Sequence, residues 1–185
     1  MARPEELRRI AGRITSRLMV AGQAGGAALG QRATTLDLVR AAGLRGSQHR
    51  VVTADGYLLT VHRVQSEQRP AARARPVVFL QHGLLCSSAD WVIGDRSRAF
   101  AFLLADAGFD VWLGNFRGNV YSRQHVRLDP DTEEFWQFSW DQMGEFDLPA
   151  MLSFVSAATK VDRLVYVGHS MGTTAFWVMC NKERS

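Results

Sequence analysis

The sequence predicts an α/β architecture on a mostly parallel sheet, and three observations carry that expectation. "VVFLQH" (77–82) and "FDVWLGN" (109–115) are short continuous apolar runs, the form taken by strands covered on both faces. "SRAFAFLLADAG" between them and "WDQMGEFDLPAMLSFVSAAT" after them have helical length and composition, so strands alternate with helices as in parallel crossover units. Finally, "LVYV" reads as a buried strand running straight into Gly168-His169-Ser170-Met171-Gly172 and a further helical segment, "MGTTAFWVMCN".

The elements follow in order. Residues 1–33 form a basic, Gly/Ala-rich extension, and residues 34–185 form the α/β domain. In the extension, Leu7, Ile10, Ile14 and Leu18 recur at helical spacing with Arg8, Arg9, Arg13 and Arg17 between them. Residues 4–18 can be read as a peripheral membrane contact or as an exposed helix, and the second is the reading taken. "AGQAGGAALGQ" has the composition of a flexible linker. In "TTLDLVRAAG", Thr34 is the expected cap, Asp37 lies in the first turn and Gly43 is the stop. "HRVVTADGYLLTVHRV" is a hairpin around the turn dipeptide Asp55-Gly56. "QSEQRPAARARP" is a polar connection. The first long helix ends at Gly108, and Pro149 predicts a kink in the second because it removes one backbone bond.

Composition narrows the function classes. Of 185 residues, 46% are apolar, enough for a sizeable core. No apolar run approaches the ~20 residues that cross a bilayer. Residues 1–50 hold nine Arg, no Lys and three acids, a net of +6, whereas the remainder is slightly acidic. The basic character therefore belongs to the N-terminal segment, and the body gives no reason to expect nucleic acid as a partner. No zinc spacing occurs. Two cysteines, Cys86 and Cys180, cannot make a disulfide framework and are expected as buried free thiols.

Gly-x-Ser-x-Gly alone is a weak signal: chance supplies it in a chain of this size roughly one time in fifteen. Its position between an apolar strand and a helix strengthens it, because that context exposes a serine hydroxyl at a sharp turn, as in the α/β-hydrolase fold. Gly168 and Gly172 are expected where a side chain would crowd the turn. Ser170 is the candidate nucleophile, and the backbone N–H of Met171 is one candidate oxyanion donor, at a helix N-terminus. "QHGLLCSS" follows an earlier strand and supplies the second, the Leu84 N–H, after the turn permitted by Gly83. His82 is read as part of that turn and His169 as a packing residue, neither as the base. Arg117 is read as structural, paired with an acid near the floor of the site. Most of Trp91, Trp112, Trp136, Trp140 and Trp177, with Phe100 and Phe102, are expected in packing roles.

This order of motifs resembles the acid lipase family, which includes lysosomal acid lipase and gastric lipase. "VVTADGYLLTVHRV" is similar to its entry hairpin, "HGLLCSSADWV" to its oxyanion segment and "LADAGFDVWLGNFRGNVYS" to its strand and Asn-x-Arg-Gly-Asn loop. "FWQFSWDQMGEFDLPAMLSFV" resembles its Pro-containing helix and "YVGHSMGTT" its elbow. The resemblance implies a serine ester hydrolase acting on neutral lipid esters, triacylglycerols or sterol esters, at a lipid–water interface, without metal or organic cofactor. It also implies a secreted or lysosomal location, although residues 1–35 do not resemble a secretory signal. Met171 stands where relatives often have Gln, which a backbone donor tolerates.

In this fold the triad runs serine, acid, histidine. Only Glu183 and no histidine follow Ser170. The expectation is therefore the N-terminal half of a lipase domain, ending just after the elbow helix, without its catalytic Asp and His and with little turnover of its own. The alternative is a non-catalytic, truncated lipase-like protein that binds lipid or a protein partner. A peptidase or thioesterase shares the elbow, but the His-Gly-Leu-Leu and Asn-x-Arg-Gly-Asn segments argue against it.

Overall fold

The computed structural model describes residues 33–66 and 75–182. The extension and its membrane-contact reading, at residues 4–18, lie outside the described residues. Five strands form one sheet in the order β1-β2-β4-β3-β5: β1 (Arg45–Val52), β2 (Leu58–Gln65), β3 (Val77–Gln81), β4 (Asp110–Gly114) and β5 (Val165–Gly168). β1 pairs antiparallel with β2, and β2 antiparallel with β4, whereas β3 lies parallel to both β4 and β5. Four strands thus share one direction, and β2 alone opposes them.

The entry helix α1 (Thr35–Ala41) forms as its cap predicts. The Thr34 side chain accepts from the Asp37 N–H, and Asp37 accepts from the Thr34 N–H, so two otherwise unpaired donors are satisfied reciprocally. Gly43 follows at φ 71, where a side chain would be strained. The hairpin turn is longer than its dipeptide: Val52 pairs with Leu58, and residues 53–57 close it through Thr53 N–H to Tyr57 O and Gly56 N–H to Thr53 O.

β3 and β4 are buried at every position, as their apolar runs predict. Side chains alternate across the sheet. Val77 and Phe79 join Met151, Val155, Ala175 and Met179 beneath the later helices, while Val78 and Leu80 join Val39, Phe102 and Leu104 on the opposite face. α2 (Phe100–Asp106) crosses between β3 and β4. The long helix is continuous in path but has three parts: α3 (Trp140–Gln142), a π segment (Met143–Asp147) and α4 (Leu148–Thr159). Here the kink predicted at Pro149 takes another form. Pro149 cannot donate to the carbonyl four residues back, and its ring crowds that carbonyl. The preceding turn widens instead, with the Leu148 N–H reaching Met143 O. Gly144 in this segment lies so close to the last helix, α5 (Met171–Lys182), that a Cβ would come within 2.6 Å of Ala175 O.

β5 corrects the sequence reading. It was expected buried, yet none of its residues is, and Val165 is 41% exposed. β5 is the edge of the described sheet, so one flank meets no neighbouring strand. Trp177 on α5 is 66% exposed. Trp136 and Trp140 are also exposed, so of the five tryptophans only Trp112 is fully buried. Phe102 is buried and Phe100 partly so. Cys86 and Cys180 are free thiols as expected, but each is partly exposed rather than buried. Cys86 belongs to the loop after β3, and Cys180 to α5, where it packs against the core. No helix among the described residues is long and apolar enough to cross a membrane.

Candidate active site

β5 reaches the elbow by way of β3. The His169 N–H donates to Gln81 O at 3.0 Å, extending the β3–β5 ladder one residue past the strand. Ser170 then adopts φ 51, a left-handed conformation that costs a side-chain-bearing residue about 1–2 kcal/mol. Its carbonyl accepts from Thr173 N–H at 2.8 Å and Thr174 N–H at 3.3 Å, so α5 begins directly from the reversal. The flanking glycines have the role assigned to them. A Cβ on Gly168 would lie 2.8 Å from Gly172 C, and a Cβ on Gly172 would lie 2.7 Å from Gln81 O. Both obstacles are backbone atoms that cannot rotate away. Tyr166 fastens the start of the helix by donating its hydroxyl to Gly172 O at 2.7 Å. Burial pushes the Tyr166 phenol well above its ordinary pKa, so it stays a donor.

Ser170 and His169 are both exposed. The expectation of a packing role for His169 needs correction, because the open edge of β5 leaves it uncovered. Its ring instead flanks the neighbouring turn: a Cβ on Gly83 would lie 3.0 Å from His169 Nδ1 and 3.1 Å from Ser170 Cβ. Gly83 therefore brings the loop after β3 directly against the serine. The turn closes through Cys86 N–H to Gly83 O at 3.4 Å, with Leu85 at φ 59. Leu84, exposed, follows Gly83 at this point. Met171 is the first residue of α5, where a backbone N–H has no acceptor within the helix. Among the described residues, neither the Leu84 N–H nor the Met171 N–H donates to another protein group.

A buried polar network holds this turn at both ends. At its start, His82 Nε2 accepts from the Phe116 N–H at 3.1 Å and lies 3.1 Å from Asn119 Nδ2. The ring proton therefore sits on Nδ1, which donates to Gly83 O at 2.8 Å. At its end, the Ser88 N–H donates to Asn115 Oδ1, and Ser88 Oγ bonds both His62 Nδ1 and Thr35 Oγ1 at 2.8 Å. Asn115 completes the frame by donating Nδ2 to Thr60 O and accepting from Asn119 Nδ2. Burial lowers the pKa of both histidines, that of His62 to about 4 with the charge of His49 adding to the effect. His62 and Ser88 superficially form a serine–histidine pair, but both are buried, so Ser88 cannot receive a substrate.

Arg117 pairs with two acids where the sequence reading expected one. Its Nε donates to Asp147 Oδ1 at 2.8 Å, and its terminal nitrogens reach Asp55 at 2.6 and 2.9 Å. The guanidinium lies 3.9 Å from the Tyr57 ring centroid. Its backbone N–H adds a bond to Asp147. The side chain is 1% exposed and that of Asp147 0%, and burial pushes the Asp147 carboxyl up to about 6 despite the adjacent cation. With every arm of the fork engaged, this loop holds no site for a phosphate. It joins the hairpin turn (Asp55), the π segment (Asp147) and the turn after β3, through Phe116 and His82.

Sequence reasoning placed Ser170 and its glycines at the sharp turn that the chain makes there. It missed the partners Asp55, Asp147, His62, Ser88 and Thr35, which come from five separate segments. Each stood in or beside a recognised segment, such as Asp55 in its turn dipeptide and Thr35 after its cap, but nothing in the sequence paired those segments.

Known proteins share this fold. Residues 35–95 match the family described as a partial alpha/beta-hydrolase lipase region, and residues 76–184 match the alpha/beta hydrolase fold. The chain is 49% identical to gastric triacylglycerol lipase of Bos taurus over 134 residues, 71% of this chain and 34% of that protein. It is 47% identical to Lipase 1 of Drosophila melanogaster over 144 residues, 78% of this chain and 31% of that protein. The chain thus spans about a third of the length of these relatives. Among solved structures, it is similar to an esterase of Pyrococcus furiosus (17% identity, TM-score 0.53, 82% of this chain and 51% of that one). It is similar also to oligopeptidase B of Leishmania major (14% identity, TM-score 0.52, 77% of this chain and 19% of that one). Likeness at that identity speaks for the fold alone, which hosts more than one reaction.

Proposed function

This chain belongs to the α/β hydrolase fold family and, within it, to the acid lipase group that includes gastric lipase, and on that premise we propose that it carries the nucleophile and oxyanion donors of a serine site that hydrolyses neutral lipid esters. The observation that carries the reading is Ser170 itself: exposed, held at φ 51, with Gly83 of the donor turn packed against its Cβ. Strain of this kind persists where surrounding structure imposes it, as at active sites.

In the proposed reaction, Ser170 Oγ attacks the ester carbonyl carbon and its proton passes to a base. The carbonyl oxygen becomes an oxyanion that the Leu84 and Met171 N–H groups receive. Collapse expels the alcohol, and water then releases the fatty acid from the acyl-enzyme. The uncharged turn suits a neutral ester presented at a lipid–water interface.

The base is the missing part. His62 and His82 are buried in hydrogen bonds, and His125 uses one ring nitrogen on Asp55 O and the other on the Arg127 and Leu128 N–H groups. His49 bonds Ser47, and His169 lies across Gly83 from its own place in the elbow. None stands after Ser170 with an acid to orient it. The 185-residue chain alone is therefore expected to turn over esters several orders of magnitude more slowly than a complete triad. Treatment with a fluorophosphonate should label Ser170 slowly and stoichiometrically, and Ser170→Ala should abolish labelling. Labelling at another residue, or none under forcing conditions, would remove Ser170 from the role. Rapid Ser170-dependent lipolysis by this chain would show that a base had been overlooked.

A further inference from the structure

Beside the serine, the donor turn presents an unusual tip. Leu85 is 98% exposed and Leu84 64%. Leu85 also sits at φ 59, a conformation that glycine or asparagine accepts readily and that disfavours other side chains. An exposed leucine in that conformation does nothing for the packing of the described fold, so its apolar surface is without an internal explanation. Residues 83–88, "GLLCSS", contain no charge. Val120, 81% exposed, adjoins Asn119, whose side chain lies 3.1 Å from His82 Nε2 at the base of the turn.

Building on the lipid-ester reading above, we propose that Leu85, with Leu84 beside it, is the point at which this protein inserts into an uncharged lipid surface, placing Ser170 at that surface. The shape favours a surface over a single bound acyl chain. A tip as exposed as Leu85 has no walls to enclose one chain, whereas a lipid layer closes around the tip and removes its apolar area from water. Insertion desolvates no ion within the turn. Gly83, packed so close that a Cβ on it would lie 3.1 Å from Ser170 Cβ, ties the depth of the tip to the position of the serine.

The test is flotation of the full 185-residue chain with trioleoylglycerol droplets coated in phosphatidylcholine, at high salt to screen the basic N-terminal segment. The wild type and Leu85→Met should float. Leu85→Asn, which suits the left-handed backbone, should lower the partition coefficient about tenfold or more, the effect of removing one leucine-sized apolar group. Leu85→Gly should do the same, and neither should lower thermal stability, since both residues suit the left-handed backbone. Leu85→Asn should retain fluorophosphonate labelling of Ser170 in solution, which separates lipid seating from the esterase reading: failure of labelling in every variant sinks the latter alone. Equal flotation of Leu85→Asn and wild type would overturn the proposal. So would failure of the wild type to float, or a tip that drives self-association in place of droplet binding.

Discussion

On the oxyanion side of the candidate site, His82, Ser88, Asn115, Arg117 and Asp147 are buried, and each is held by hydrogen bonds or ion pairs to other segments. On the nucleophile side, His169 and Ser170 are exposed on an edge strand, and the turn depends on glycines that let backbones approach. One half is positioned by polar bonds and the other by shape. The two should therefore fail differently. Loss of a polar partner leaves a buried group unsatisfied, whereas an added methyl forces backbone apart.

The largest effect should come from Arg117→Met. It leaves Asp147 buried without its cation, and we expect a loss of about 3–5 kcal/mol in urea unfolding at neutral pH. The deficit should shrink as pH falls toward 6, because without Arg117 the Asp147 carboxyl takes up its proton above the paired value of about 6. An unchanged midpoint at neutral pH would mean that the ion pairs do not hold this half together.

A second test uses pH. His62 titrates near 4 in the folded chain, below its ordinary 6.5, because burial disfavours its charged form. Its contribution to stability is therefore full above pH 6.5 and is lost as pH falls from 6.5 to 4, by up to about 3 kcal/mol. His82 is lowered in the same direction. Asp147 acts oppositely: its folded value of about 6 exceeds the ordinary 3.8, so protonation favours the fold as pH falls through that window. His62→Gln should flatten the acid loss in urea midpoints taken between pH 7 and 4, while Asp147→Asn should steepen it. Identical profiles for the two variants and wild type would contradict the assignment.

On the nucleophile side, Gly172→Ala should cost about 1–3 kcal/mol by overpacking against Gln81 O, with no pH dependence between 4 and 7. The smallest effect, and one of opposite sign, belongs to Ser170→Gly. Relief of the left-handed strain should raise stability by about 1 kcal/mol while abolishing fluorophosphonate labelling. A variant no more stable than wild type in thermal unfolding would mean that the turn is not strained.

Features written into consecutive residues were legible in the sequence. The cap at Thr34, the Asp55-Gly56 turn, the doubly buried β3 and β4 and the Gly-x-Ser-x-Gly reversal depend on φ/ψ preferences and on hydrophobic period, both of which act over a few positions. The disturbance at Pro149 was legible as to place but not kind, because whether a helix kinks or widens depends on what packs against it, here α5 against Gly144. Burial of β5 was misread for a similar reason: an apolar run records what a strand can bury, and only the sheet order decides whether a neighbour is present to bury it.

By itself, then, the sequence determined the succession of strands and helices, the sharp turn at Ser170 and the glycines that allow it, because local conformational preference is encoded locally. Tertiary structure alone decided that Arg117 would meet Asp55 and Asp147, and that His62, Ser88 and Asn115 would share one buried network. It alone set Leu85 as an exposed tip beside Ser170. Those partners lie as much as 62 residues apart, and nothing in either segment names the other until chain closure and the exclusion of water bring them within bonding distance.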